Sequence, residues 1–245
     1  MARRIWATGE DGSIEYVTLT EDLLDASINA MRQSFYLNEN ICVAFDVPHH
    51  RESFEELDQL LLETIKDGVS VAAIEKASGE VAGAVLNKLQ TPGNVSNYAK
   101  FLRTFKHSSS IGVLQWMIDV ENRFDIFEHC QVDSVMELMF LGVIPEFRRQ
   151  GIGKKLCEVS VTIAKCLRDG RDVRAPYENH DTYELVPPEI MTGIFTAPAT
   201  QKFARELNFQ LGKRFYFDDF VYRGSKSLGQ FIHNTSYFTY EYLRL

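Results

Sequence analysis

The sequence predicts an α/β protein with a mixed, mostly antiparallel central sheet flanked by helices. Three observations carry that expectation. Strand-like and helix-like segments alternate along all 245 residues. Two apolar strands meet in a tight turn at Ser78-Gly79. One apolar strand also runs directly into a glycine-bearing turn and an amphipathic helix. At this length, residues 1–245 read as a single domain with a substantial core.

In order along the chain, Ile14–Leu19 reads as a strand. Thr20, Glu21 and Asp22 then look like the N-cap and acidic first turn of a helix reaching Phe35. Tyr36–His49, closed by Pro48, reads as a loop. Glu52–Asp67 places Phe54, Leu57, Leu61 and Ile65 on one helical face, and Gly68 stops it. Val69–Glu75 and Val81–Leu89 form the hairpin, and the polar run Thr91–Ser110 reads as loop. A helix is expected over Ile111–Phe127, a strand over Val135–Val143 and a helix over Ile152–Leu167. Arg171–Pro188 is charged and irregular, with the character of an insertion. Ile190–Thr196 is a strand, Ala199–Leu207 a short helix, and Gln210–Phe220 and Tyr237–Leu245 are two late strands. Their aromatic residues, such as Phe215, Phe217, Phe220, Phe238 and Tyr240, read chiefly as core.

The turn after Val143 carries the chemistry. Arg148, Arg149 and Lys154 surround Gly151 and Gly153 where a helix begins. A helix start presents unpaired N–H groups and the positive end of a dipole, and glycine lets an anion approach closely. A Walker A loop is excluded because Lys155, not serine or threonine, follows Gly153-Lys154. A dinucleotide fingerprint needs three glycines opening the first strand–helix unit, whereas two are present, past mid-chain. The form that fits is R-x-x-G-x-G: Arg148, Gly151, Gly153.

A net charge of −8 gives no global support for a nucleic-acid or anionic-membrane partner. No apolar leader follows Met1-Ala2-Arg3-Arg4, and the four cysteines lack metal-ligand spacing. They read as reduced, buried thiols of a cytoplasmic protein, which is expected to be a monomer. His49 and His50, beside Asp46, are adjacent and expected to point in different directions, so no metal is expected.

The strand, the R-x-x-G-x-G turn and its helix resemble the coenzyme A loop of the GNAT superfamily of N-acyltransferases. Over nearly the whole chain the order of elements is similar to that fold. The run Leu141–Val143 through Gly151–Cys157, together with Phe35-Tyr36-Leu37-Asn38-Glu39, resembles the insect arylalkylamine N-acetyltransferase family. In that family proline and leucine follow the glutamate; here Asn40 and Ile41 do. The resemblance implies acetyl-CoA as co-substrate and a small primary amine as acceptor, of the dopamine, tyramine, serotonin and tryptamine class. It implies a general base at Glu39, with Asp46 as a weaker alternative that could bind an ammonium. It also implies an oxyanion-binding N–H at Leu141, main-chain contacts to the pantetheine arm at Val143, and pyrophosphate binding by Arg148, Arg149, Gly151, Ile152, Gly153 and Lys154. Thr196 and Thr200 stand where the family has two serines that bind the amine and handle protons. Ala204 stands where many members carry a tyrosine acid, so the thiolate would leave unaided. Two alternatives remain open: another small amine such as a polyamine, agmatine or histamine, or an acyl-CoA-binding protein without catalysis.

Overall fold

A computed structural model describes residues 3–92, 98–177, 184–222 and 226–245. Its centre is an eight-stranded sheet. The strands are β1 (Ile5–Thr8), β2 (Ile14–Thr18), β3 (Val71–Glu75), β4 (Val81–Gln90), β5 (Val135–Val143), β6 (Ile190–Phe195), β7 (Gln210–Tyr216) and β10 (Tyr237–Arg244). Their order is β1-β2-β3-β4-β5-β6-β10-β7. Two short strands, β8 (Val221–Tyr222) and β9 (Lys226–Ser227), pair separately. Every pair in the large sheet is antiparallel except β5 with β6, the product of the crossover between them.

That parallel pair shapes the molecule's cleft. Its register runs from Val135↔Ile190 to Leu138↔Gly193 and stops, although β5 continues to Val143 and β6 to Phe195. From Met139 onward the edge of β5 facing β6 has no strand partner and leaves backbone groups for a ligand. On the other side, Leu86 opposes Phe140 while Asn87 opposes Leu138, so Met139 is a bulged residue. The bulge resets the alternation of side chains: Leu138 and Leu141 both pack toward one core, Phe140 toward the other.

Those two cores lie on opposite faces of the sheet. One gathers α1 (Leu24–Asn38), α3 (Phe54–Ile65) and α5 (Ser108–Arg123) through Met31, Leu57, Leu61, Leu114 and Val120. The other is filled by α7 (Ile152–Arg168), whose Ile152, Leu156, Val159, Ile163 and Leu167 face Val71, Val85 and Met136. Helix α1 crosses β5 very closely at Gly142, where a Cβ would collide with Ser34 and Met31. This contact holds the C-terminal end of α1, and hence Glu39, above the open part of β5. No helix among the described residues is long and apolar enough to cross a membrane.

Several expectations are corrected. The expected loop Tyr36–His49 contains the end of α1, a short helix α2 (Asn40–Ala44) and a 3-10 turn at Val47–His49. Thr91–Ser110 contains α4 (Ala99–Leu102) and the start of α5, while residues 93–97 lie outside the described set. The helix expected over Ile111–Phe127 breaks at Phe124, and Asp125 caps α6 (Ile126–Cys130) by accepting from Phe127 N and Glu128 N. The strand expected to Phe220 ends at Tyr216. Strand β1 was absent from the expectation because Ile5–Thr8 is too short to show a period. Thr20 forms no cap, since its hydroxyl donates to Asp22 at 2.6 Å. The described parts of Arg171–Pro188 are irregular, and residues 178–183 of that segment are not described.

Candidate active site

Glu39 ends α1 and starts α2. Its extended backbone (φ −70°, ψ 139°) breaks the helix, and its own carboxylate caps the next one. Oε2 accepts from the amides of Ile41 (2.8 Å) and Cys42 (2.9 Å), and Oε1 accepts from the Thr196 hydroxyl (2.7 Å). Loss of water around the carboxyl raises its pKa, and the Thr196 and amide hydrogen bonds partly offset that rise. The group is therefore a held carboxylate, partly desolvated, at the wall of a cavity of about 610 Å³.

Asn40 explains the departure from proline after this glutamate. Its amide donates to the Thr196 carbonyl (2.7 Å) and exchanges hydrogen bonds with the Asn234 amide (3.1 and 3.0 Å). Proline would suit the first helical position but could make none of these bonds. Asn40 is buried, and it ties α2, the end of β6 and the segment before β10 into one frame around Glu39. Thr200, in the first turn of α8 (Pro198–Glu206), lines the same cavity, but its hydroxyl donates to the Ala197 carbonyl (2.9 Å). The structure thus brings Thr196, but not Thr200, onto Glu39. Asp46 is turned away: its carboxylate meets both His49 (2.6 Å) and His50 (3.2 Å) at the surface and is held below its ordinary pKa chiefly by His49. The adjacent histidines thus converge on Asp46, whose own backbone is left-handed (φ 63°). Nearby, His50, Glu52 and His107 offer ligand atoms within 4.8 Å of one another.

The opposite end of the cavity is the glycine turn. Gly151 is the N-cap of α7 with φ 78°, and nothing lies within 4 Å of where its Cβ would stand. Glycine is therefore needed there for its conformation and not for space. The turn and first residues of α7 present the four backbone N–H groups that a helix start leaves unpaired. Arg148, Arg149, Gly151, Ile152 and Gly153 all line the cavity, as do Leu141 and Val143. Arg148 is oriented by its Nε, which donates to the Val143 carbonyl (3.0 Å). Lys154 is placed elsewhere: its ammonium pairs with Glu206 (2.7 Å), off the cavity wall. Cys157 lines the cavity, and burial pushes its thiol up to about 12; all four cysteines are free and buried. An open backbone edge, a left-handed glycine at a helix start and two arginines together fit the phosphates and amide arm of coenzyme A.

Two lining groups gave no signal in the sequence. Phe203 packs beside Gly153, and Ala204 one residue on is buried. Glu137, within the apolar strand β5, reaches the same cavity. A single acid in a strand otherwise free of charge has no period to mark it.

A family model described as the acetyltransferase (GNAT) family matches residues 35–183, a span that includes both Glu39 and the glycine turn. The chain belongs to that family of acetyltransferases. No curated protein sequence matches it. Among solved structures it is similar to a mosquito arylalkylamine N-acetyltransferase-like 5b protein, with TM-score 0.76, 15% identity and 95% and 100% of the two chains covered. It is also similar to arylalkylamine N-acetyltransferase 2 of Aedes aegypti, with TM-score 0.73, 20% identity and coverage of 94% and 98%. A Drosophila melanogaster polyamine N-acetyltransferase that forms N-acetylagmatine has TM-score 0.73, 16% identity and coverage of 95% and 100%. At these identities the similarity is one of fold.

Proposed function

We propose that this protein transfers an acetyl group from acetyl-CoA directly to the primary amine of a small arylalkylamine, with Glu39 as general base. The observation that carries the reading is Glu39 itself: a partly desolvated carboxylate fixed by Thr196 on the wall of the cavity that also holds the R-x-x-G-x-G turn. An ammonium has no lone pair for attack. A carboxylate of raised pKa can take its proton, directly or through water. The free amine then attacks the thioester carbonyl, the C–N bond forms, the C–S bond breaks to release the thiolate, and the proton still in excess on the new amide nitrogen passes to that thiolate, directly or through water.

The remaining roles follow the same surface. The open edge of β5 at Leu141 would supply an N–H to the oxyanion, and that at Val143 main-chain contact to the pantetheine arm. Arg148, Arg149 and the N–H groups from Gly151 to Lys154 would hold the pyrophosphate. Thr196 orients Glu39, while Thr200 completes the wall. Phe35, Trp116 and Phe140 give the amine side an aromatic lining suited to a phenyl or indole ring.

A panel of amines with acetyl-CoA, run on wild type and Glu39→Ala, tests the proposal. The expected result is turnover by wild type, lost in the variant while CoA still binds. Tight CoA binding with no amine turned over by wild type overturns the catalytic reading, and full activity in Glu39→Ala moves the base elsewhere.

A further inference from the structure

At the end of the cavity formed by α5 and the first half of β5 stands a carboxylate that acetyl transfer does not require. Glu137 is 5% exposed and lines the cavity. Its Oε2 accepts from the Gln90 amide (2.7 Å); among the described residues Oε1 has no hydrogen-bond partner and no cation pairs with the group. A carboxylate placed for packing has its second oxygen satisfied. This one is left open toward a cavity otherwise walled by Val113, Trp116 and Met117 of α5.

Its surroundings point the same way. Thr192 lies beside Glu137 in the β5–β6 register. The other titratable groups facing Glu137 are Tyr98, Glu121 and Tyr240, none of them cationic. Tyr98 accepts from the same Gln90 amide (3.2 Å) and donates to Met139 Sδ (3.2 Å). Burial raises Glu137 to about 7 and Glu121 to about 9, with the charge of Glu137 adding to the latter. The chain thus gathers acid and aromatic surface there with nothing positive to neutralise it.

We infer that Glu137 is the subsite for a second positively charged group of the acceptor, so that besides arylalkylamines the pocket takes amines that carry a guanidinium, imidazolium or second ammonium beyond a short spacer. The inference rests on the proposed reading of this cavity as the amine pocket. Glu137 stands four residues before Leu141 on β5, with one bulged residue between them. At strand rise that is about 10–13 Å of backbone, the scale of a short chain between two polar heads. With its amine near Glu39 and Thr196, such a substrate would lay its spacer along Trp116 and Met117. Its far cation would meet the open oxygen of Glu137, which then binds as the carboxylate.

The test uses the whole protein with agmatine as the dication and phenethylamine as the singly charged control. Steady-state turnover with acetyl-CoA and calorimetry on the CoA-loaded protein are both read, for wild type and the isosteric Glu137→Gln. The expected result is a fall of about tenfold or more in the agmatine-to-phenethylamine ratio of kcat/KM, arising in KM and matched in the calorimetric affinities. An unchanged ratio, whether both amines are unaffected or both lose kcat equally, overturns the subsite. If Glu137→Gln does not fold, wild type alone decides: agmatine KM should rise relative to that of phenethylamine as pH falls from 8 to 6. Parallel pH profiles overturn the inference. Absence of turnover with every amine would refute the proposed function, while the calorimetric preference would still report on Glu137.

Discussion

The two ends of the cavity are built by opposite means. The proposed phosphate cradle at Arg148–Gly153 is contiguous in sequence and would work largely through backbone, with one left-handed glycine and the N–H groups that open α7. The Glu39 end is assembled from side chains far apart in the chain: Glu39 and Thr196, which share a hydrogen bond, are 157 positions apart. Asn40 and Asn234, which brace them, are 194 apart. A phosphate cradle needs donors in a fixed curve, and a short motif at a helix start supplies them. A proton acceptor needs a chosen degree of burial, which only the packing of several elements can set.

The largest effect that can break this comparison lies at Glu39. Glu39→Ala should lower kcat by about 10²–10⁴ while leaving the Kd for CoA near its wild-type value. Steady-state kinetics and calorimetry on one preparation separate the two quantities. Because the carboxyl's pKa is raised, wild-type kcat/KM should also fall as pH drops through that raised value and the base takes up a proton. A variant that loses CoA affinity and activity together would merge the two ends into one site.

Next in size is a stability effect on the amine side. Glu137 titrates near 7 in the folded protein against an ordinary value of 4.5, because burial disfavours its charge. Below 4.5 both folded and unfolded chains hold the proton, and stability is full. Between 4.5 and about 7 the unfolded chain has lost it while the folded chain keeps it, so stability falls with rising pH, by about 3 kcal/mol from this group. Glu137→Gln removes that dependence. It should unfold at a higher denaturant concentration than wild type at pH 8 and at a similar one at pH 4. Equal gains at both pH values would mean that the carboxyl is not strained by burial.

On the cradle side the corresponding change is smaller. Gly151→Ala meets no neighbour but forces a side chain into the left-handed region, at a cost of about 1–2 kcal/mol. Since that residue is the N-cap of α7, relaxing the strain tilts the first N–H groups, and KM for acetyl-CoA should rise while amine KM does not. Denaturation curves and a two-substrate kinetic grid measure both.

Legibility in the sequence follows the same division. Val135–Val143 and the start of α7 at Ile152 were readable because an apolar run, a turn and a 3.6-residue period stand side by side. The region 36–49 was misread because α2 is a single short turn held by the Glu39 carboxylate and by Asn40, bonds that no local pattern announces. The strand order, with β10 between β6 and β7, is a tertiary choice among plausible pairings. Glu39 became a candidate through family resemblance, whereas its contact with Thr196 is a product of folding. Glu137 escaped notice because one acid in a strand has no period, and its meaning comes from the cavity it enters.

The smallest expected effect is the most pointed test of the cradle. By sequence Lys154 belongs to the basic turn as fully as Arg148 does. In the fold the two diverge, because helical geometry rotates Lys154 toward α8, where Glu206 takes its ammonium. Arg148 stays on the cavity wall with its Nε anchored to the end of β5. A partly exposed pair contributes little. Lys154→Ala should therefore change the Kd for CoA by less than about twofold, since its backbone N–H is untouched. Arg148→Ala should raise that Kd by about tenfold through loss of a charge-assisted contact. Equal losses in the two variants would show the Lys154–Glu206 pair opening when the phosphates arrive. The cradle would then depend on mobile side-chain charge as much as on fixed backbone, and its contrast with the Glu39 end would narrow.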